Sequence, residues 1–169
     1  RECGAGEYGE WNDPISFTVN CGIAALPWSE DFEERPTTNF DASCWVNEHV
    51  AGSSTYLYNV VLGTSYGATG KVMMLNDQSA GNITHLVLPQ MNFEAGSAYE
   101  MSIDVRRYHY NVLKTSEGLH IYASTSDQLT DDAQLLAFIP RENTIAGVNV
   151  DSVATEGWYT YRFDVPAIG

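Results

Sequence analysis

The sequence predicts an all-β protein, an antiparallel jelly-roll β-sandwich entered through a short N-terminal hairpin. Three observations carry this expectation. Apolar and polar residues alternate at the period of half-buried strands, loops rich in Gly, Asn, Asp and Ser recur between them, and helical periodicity is nearly missing. Many short strands with polar turns and no intervening helices fit a sandwich or a barrel. The chain has 169 residues, 44 % hydrophobic and 12 % aromatic, enough for one ordinary domain with a real core.

The elements follow in order. Over 15–20, Ile15, Phe17 and Val19 alternate with Ser16, Thr18 and Asn20, and an Asn12-Asp13-Pro14 turn leads in. This hairpin either belongs to the main sheet or ends an upstream module. The stretch 26–45, LPWSEDFEERPTTNFDASCW, opens as an apolar-aromatic strand, carries the acidic run Glu30 to Glu34, and closes on Cys44-Trp45. Apolar runs follow at 60–62, 72–75 and 83–88. Tyr99, Met101, Ile103 and Val105 alternate with Glu100, Ser102, Asp104 and Arg106. Leu119, Ile121 and Ala123 alternate with His120, Tyr122 and Ser124. A nearly continuous apolar run spans 135–139. Tyr159, Tyr161, Phe163 and Val165 alternate with Trp158, Thr160, Arg162 and Asp164. One helical turn is expected within 126–136, capped by Ser126 or Asp127.

Charge narrows the partners. Eight Lys+Arg against 22 Asp+Glu give a net charge of −14. Such a field repels nucleic-acid phosphates and anionic lipid. It suits Ca²⁺ and neutral ligands such as glycans, or serves solubility alone. No apolar run approaches the ~20 residues of a membrane span, so direct insertion is not expected. Arg1 begins inside what reads as folded sequence, so a fragment of a longer chain is expected. Cys3, Cys21 and Cys44 lack the C-x-x-C spacing of a zinc site; they are buried thiols, or one disulfide plus an orphan.

Catalytic motifs are missing. There is no G-x-S-x-G or H-E-x-x-H, and His49, His85, His109 and His120 are scattered. The segment 65–72, SYGATGKV, resembles a phosphate-binding loop only superficially, because a strand pattern follows it. A carboxylate pair for glycoside hydrolysis is defined by distance in space and is not legible here.

Seven segments in fixed order carry a family resemblance: LPWSEDFE (26–33), CW (44–45), GKVMMLN (70–76), ITHLVLPQ (83–90), YEMSIDVRR (99–107), LHIYASTS (119–126) and GWYTYRFDVP (157–166). The succession resembles the cleaved-adhesin or choice-of-anchor J type of jelly roll, related in shape to MAM and galactose-binding-like modules. Members occur in secreted and surface proteins of anaerobic bacteria, often beside fibronectin type III repeats. Residues 1–22 resemble the end of such a repeat, which leaves 23–169 as the adhesin-like domain. Relatives carry two further strands beyond the counterpart of Val165-Pro166, so this domain is expected to be truncated or trimmed.

The resemblance implies site residues as well. A Glu at the place of Glu33 often ligates calcium together with a loop carbonyl and a last-strand Asp, and that Asp is missing here. Strand alternation would set Asp31 beside Glu33, and Asp77 or the 67–70 loop would complete the shell; the alternative is a solvated acidic edge. A Cys21–Cys44 disulfide is likewise implied, with three thiols as the alternative. The 106–111 cluster, with Arg106, Tyr108 and Tyr110, offers aromatic faces for sugar rings and directional donors. Outward Tyr122 and Trp158, with His120 and Arg162, would extend this patch if their strands are neighbours; otherwise all are rim residues covering sheet ends. The expected function is a non-catalytic, extracellular adhesion module at a bacterial surface, recognising glycan or a host surface or matrix protein. The alternatives are an accessory or catalytic domain of a polysaccharide-acting enzyme, or a structural spacer.

Overall fold

Residues 21–53, 55–75, 81–109 and 117–166 are described in a computed structural model. Eight strands run through them: β1 (Val46–Ala51), β2 (Tyr58–Leu62), β3 (Lys71–Leu75), β4 (Ile83–Val87), β5 (Tyr99–Arg107), β6 (Gly118–Ala123), β7 (Gln134–Pro140) and β8 (Gly157–Val165). They pair antiparallel as β1–β4, β2–β3, β5–β8 and β6–β7. The only helical element among the described residues is one 3-10 turn at Gly63–Tyr66. The protein is all-β, as the alternation requires. The expected strand at 15–20, Cys3, Asp77, Tyr110 and Asn111 lie outside the described residues.

The main core lies between two ladders. β5 and β8 run in unbroken register from Tyr99 opposite Val165 to Arg107 opposite Gly157. Their inward positions, Met101, Ile103, Val105, Tyr161, Phe163 and Val165, pack on Ile121, Ala123, Leu136, Ala137 and Ile139 of β6–β7. Period-two alternation therefore sets the inward face before any contact forms. Between Ile121 and Tyr122 the register shifts, because Ile121 faces Ala137 whereas Tyr122 faces Leu135. The unpaired Leu136 is buried, so the bulge drives one extra apolar side chain into the core.

A second apolar centre forms at the start of the described chain. Segment 38–40 lies beside β2, with Phe40 N donating to Tyr58 O at 2.9 Å and Val60 N to Thr38 O at 3.0 Å. Phe40 and Val60 are buried there. Trp45 meets Phe40 edge-to-face at 4.9 Å, Trp28 lies 5.6 Å from Trp45, and Phe32 meets Phe40 at 6.1 Å. Such tilted contacts suit the ring quadrupoles. Asn47 ties β1 to β2: its Nδ2 donates to Phe40 O and Tyr58 O, and its Oδ1 accepts from Tyr58 N. A disulfide joins Cys21 to Cys44 with Cα atoms 5.2 Å apart, next to this aromatic group.

Three expectations need correction. Residues 26–32 form no strand: Phe32 has φ 64° and begins a turn in which Arg35 N donates to Phe32 O at 3.0 Å. Asp31 and Glu33 therefore do not sit side by side by strand alternation. The expected helical turn in 126–136 is a run of bends and turns, and its end is taken up by β7. There, Ser126 caps its own local turn by accepting from Gln128 N at 3.1 Å, a bond that competes with helix formation. β1 went unanticipated, because VNEHVA breaks strict alternation where Val50 bulges out of register opposite β4.

Candidate functional site

The acidic turn is the first candidate. Each of three carboxylates is engaged, two locally and one across the chain. Glu30 Oε1 accepts from Phe32 N at 2.9 Å, and its Oε2 takes Arg35 Nη2 at 2.6 Å. Asp31 Oδ1 accepts from Glu33 N at 3.1 Å. Glu33 Oε1 accepts from Lys71 N at 2.7 Å, across the chain at the head of β3. Gly70 permits that approach: it has φ +84°, and a Cβ there would stand 1.9 Å from Glu33 Oε1.

The Lys71 ammonium completes the arrangement. Its Nζ donates to Glu33 O and Arg35 O at 2.6 Å each. The turn thus presents two carbonyls to a cation that the chain itself supplies, while the Glu33 carboxylate holds the backbone N–H of the same lysine. Asp31 and Glu33 are not drawn together as a pair of ligands in this turn. The carboxylates face separate backbone donors, and the turn carbonyls already hold an ammonium. Among the described residues, no group of three or more His, Cys, Asp or Glu converges as metal ligands. Asp77 lies outside them.

The 106–111 cluster divides by strand phase. Arg107 shares the inward phase of Met101, Ile103 and Val105, and it is fully buried. Its guanidinium donates to Asp151 O (3.0 Å), Glu142 O (2.7 Å), Ile145 O (2.6 Å) and Asn143 O (3.3 Å), and to the Tyr161 hydroxyl (3.1 Å). It acts as an organising cation for the loop after β7, the same device as Lys71 on a larger scale. Buried Glu142 accepts from Thr144 Oγ1 at 3.0 Å and lies 3.3 Å from His109 Nδ1. No sugar reaches Arg107.

Arg106 has the opposite phase. Its guanidinium carbon stands 3.9 Å over the Tyr108 ring, and that of Arg141 stands 5.6 Å from the same ring. Trp158 pairs across from Arg106, and its indole N–H donates to Tyr66 O at 2.8 Å. Arg106, Tyr108 and Trp158 are therefore brought together, but ring and indole N–H already have partners within the protein. Further along this ladder, Arg162 pairs with Glu100 at 2.6 Å, and Thr160 donates to Asp104.

Tyr122 stands apart from that group, because β6 pairs with β7 and not with β8. It is 40 % exposed. Its ring lies nearly parallel to His120, 6.3 Å away, and His120 stacks on Phe138 across the ladder at 4.3 Å. Three roughly parallel rings thus form a row on the outward side of β6–β7. Alternation made Tyr122 and His120 legible in the sequence; Phe138 was read only as part of an apolar run. Lys71 and Glu142 went unread, since nothing local marks the backbone oxygens or neighbours they serve.

Comparison with family models, curated proteins and solved structures gives no match.

Proposed function

We propose that the chain is a non-catalytic binding or adhesion module of the cleaved-adhesin jelly-roll type, displayed outside a bacterial cell, with glycan as its ligand. The observation that carries this reading is the Phe138–His120–Tyr122 row. Flat, partly exposed rings offer the apolar faces on which pyranose C–H groups stack. A net charge of −14 favours a neutral ligand over an anionic one. Four antiparallel ladders, two of them packed face to face on the main core, together with the order of the seven segments, support the jelly-roll assignment. The reading requires no calcium at Asp31 and Glu33. An array of neutral and acidic glycans, probed with the chain, tests it. Binding to neutral glycans, weakened about five- to tenfold by Tyr122→Ala, is expected from the loss of one stacking ring worth about 1–1.5 kcal/mol. Silence across the array, with binding instead to a matrix protein or to nothing, would remove it.

A further inference from the structure

A second surface gathers polar side chains that make no hydrogen bond among the described residues. A concavity of about 490 Å³ is lined by Asn39, Ser53, Thr55, Tyr56, Leu57 and Asn59. It adjoins another of about 430 Å³, with which it shares Asn39 and Leu57, and into which Asp41 and Trp45 also face. Both fall in the ~300–1,000 Å³ range of small-ligand sites. The floor is tied to β2: Asn39 bridges Asn59, between the hydrogen bonds from Phe40 N and Val60 N.

The side chains around it differ in how they are engaged. Asn47 and Asn59 direct their amides to backbone groups. The side chains of Asn39, Asp41, Ser53, Thr55 and Tyr56 make no hydrogen bond among the described residues. Tyr56 is 43 % exposed. Uncommitted amide, hydroxyl and phenol groups therefore converge in one concave place.

We infer that this cleft is a second binding site, separate from the β6–β7 row, for a neutral polyhydroxylated ligand of one or two pyranose units. An amide both donates and accepts, which matches Asn39 to a vicinal diol. The Tyr56 ring supplies a stacking face, and the Trp45 side extends the cleft toward a neighbouring sugar. No Lys or Arg lines either concavity, and Asp41 stands at one of them, so sulfated and sialylated ligands are disfavoured. The inference rests on the glycan-binding reading of the preceding section.

Calorimetric titration with a short neutral oligosaccharide chosen from the array tests it, using wild type, Tyr56→Ala, Asn39→Ala and Tyr122→Ala. Two ligands per chain are expected, falling to one in Tyr56→Ala and in Asn39→Ala with the melting temperature unchanged. Because both substituted side chains are exposed and unbonded, one variant stands if the other misfolds. A single site lost with Tyr56→Ala supports the cleft and displaces the row. A single site lost only with Tyr122→Ala overturns the cleft and leaves the glycan reading intact. No binding to any oligosaccharide overturns both.

Discussion

Two cations show what single residues do in this protein. Lys71 and Arg107 both point into sets of backbone carbonyls, the role a hard metal ion takes in many loop-rich domains. Charged hydrogen bonds of this kind contribute about 1.5–3 kcal/mol each where they are shielded, and less where water competes. Lys71→Met should therefore lower stability by about 1–3 kcal/mol, a drop in melting temperature of roughly 2–12 °C for a chain of this size. Wild type should melt at the same temperature in excess chelator and in excess Ca²⁺. A chelator-induced drop in wild type would return the acidic turn to calcium. Tyr58 offers a pH test. Burial pushes its phenol above the ordinary value of 10.0. The folded state holds the neutral form, so its contribution is complete below pH 10 and is lost as pH rises through the folded value. Alkaline unfolding should begin earlier in wild type than in Tyr58→Phe, read by far-UV circular dichroism. Coincident curves would show that other groups govern the alkaline limb.

At the scale of elements, the 21–45 segment is held by covalent and aromatic contacts, with backbone pairing only at isolated bridges, Ala24 to Met91 and Asn39 to Asn59. It carries no regular strand, yet Trp28, Phe32, Phe40 and Trp45 pack together, and Cys21–Cys44 closes a 23-residue separation around them. Closing a loop of this length restricts the unfolded chain by about 3 kcal/mol. Reduction, or a Cys21→Ser/Cys44→Ser pair, should lower the melting temperature by roughly 6–12 °C. Tryptophan fluorescence should report the change, since Trp28 and Trp45 flank the bridge. An unchanged melt under reducing conditions would mean that the aromatic packing alone holds the segment. The two long ladders behave differently, because β5–β8 and β6–β7 bury a continuous face and depend on no single link.

For the whole molecule, charge and phase divide what was legible from what was not. The excess of carboxylates sets a negative field that opposes phosphate-rich partners before any fold is known. Period-two alternation marked β5, β6 and β8, together with their inward residues, because a strand's facing depends only on its own residues. It also separated Arg106 from Arg107, although reading both as one cluster concealed this. Tyr122 and His120 were legible as outward for the same reason. What the sequence determined by itself was an all-β chain, the phase of its long strands and an acidic surface. Which strands pair was a tertiary matter, and it placed Tyr122 away from Trp158. Tertiary structure also turned Glu33 toward Lys71, lodged Arg107 among four carbonyls, and brought Asn39 and Tyr56 to one concavity. These outcomes depend on backbone groups brought together from positions about 35–45 residues apart, and no local pattern encodes where a distant carbonyl will point.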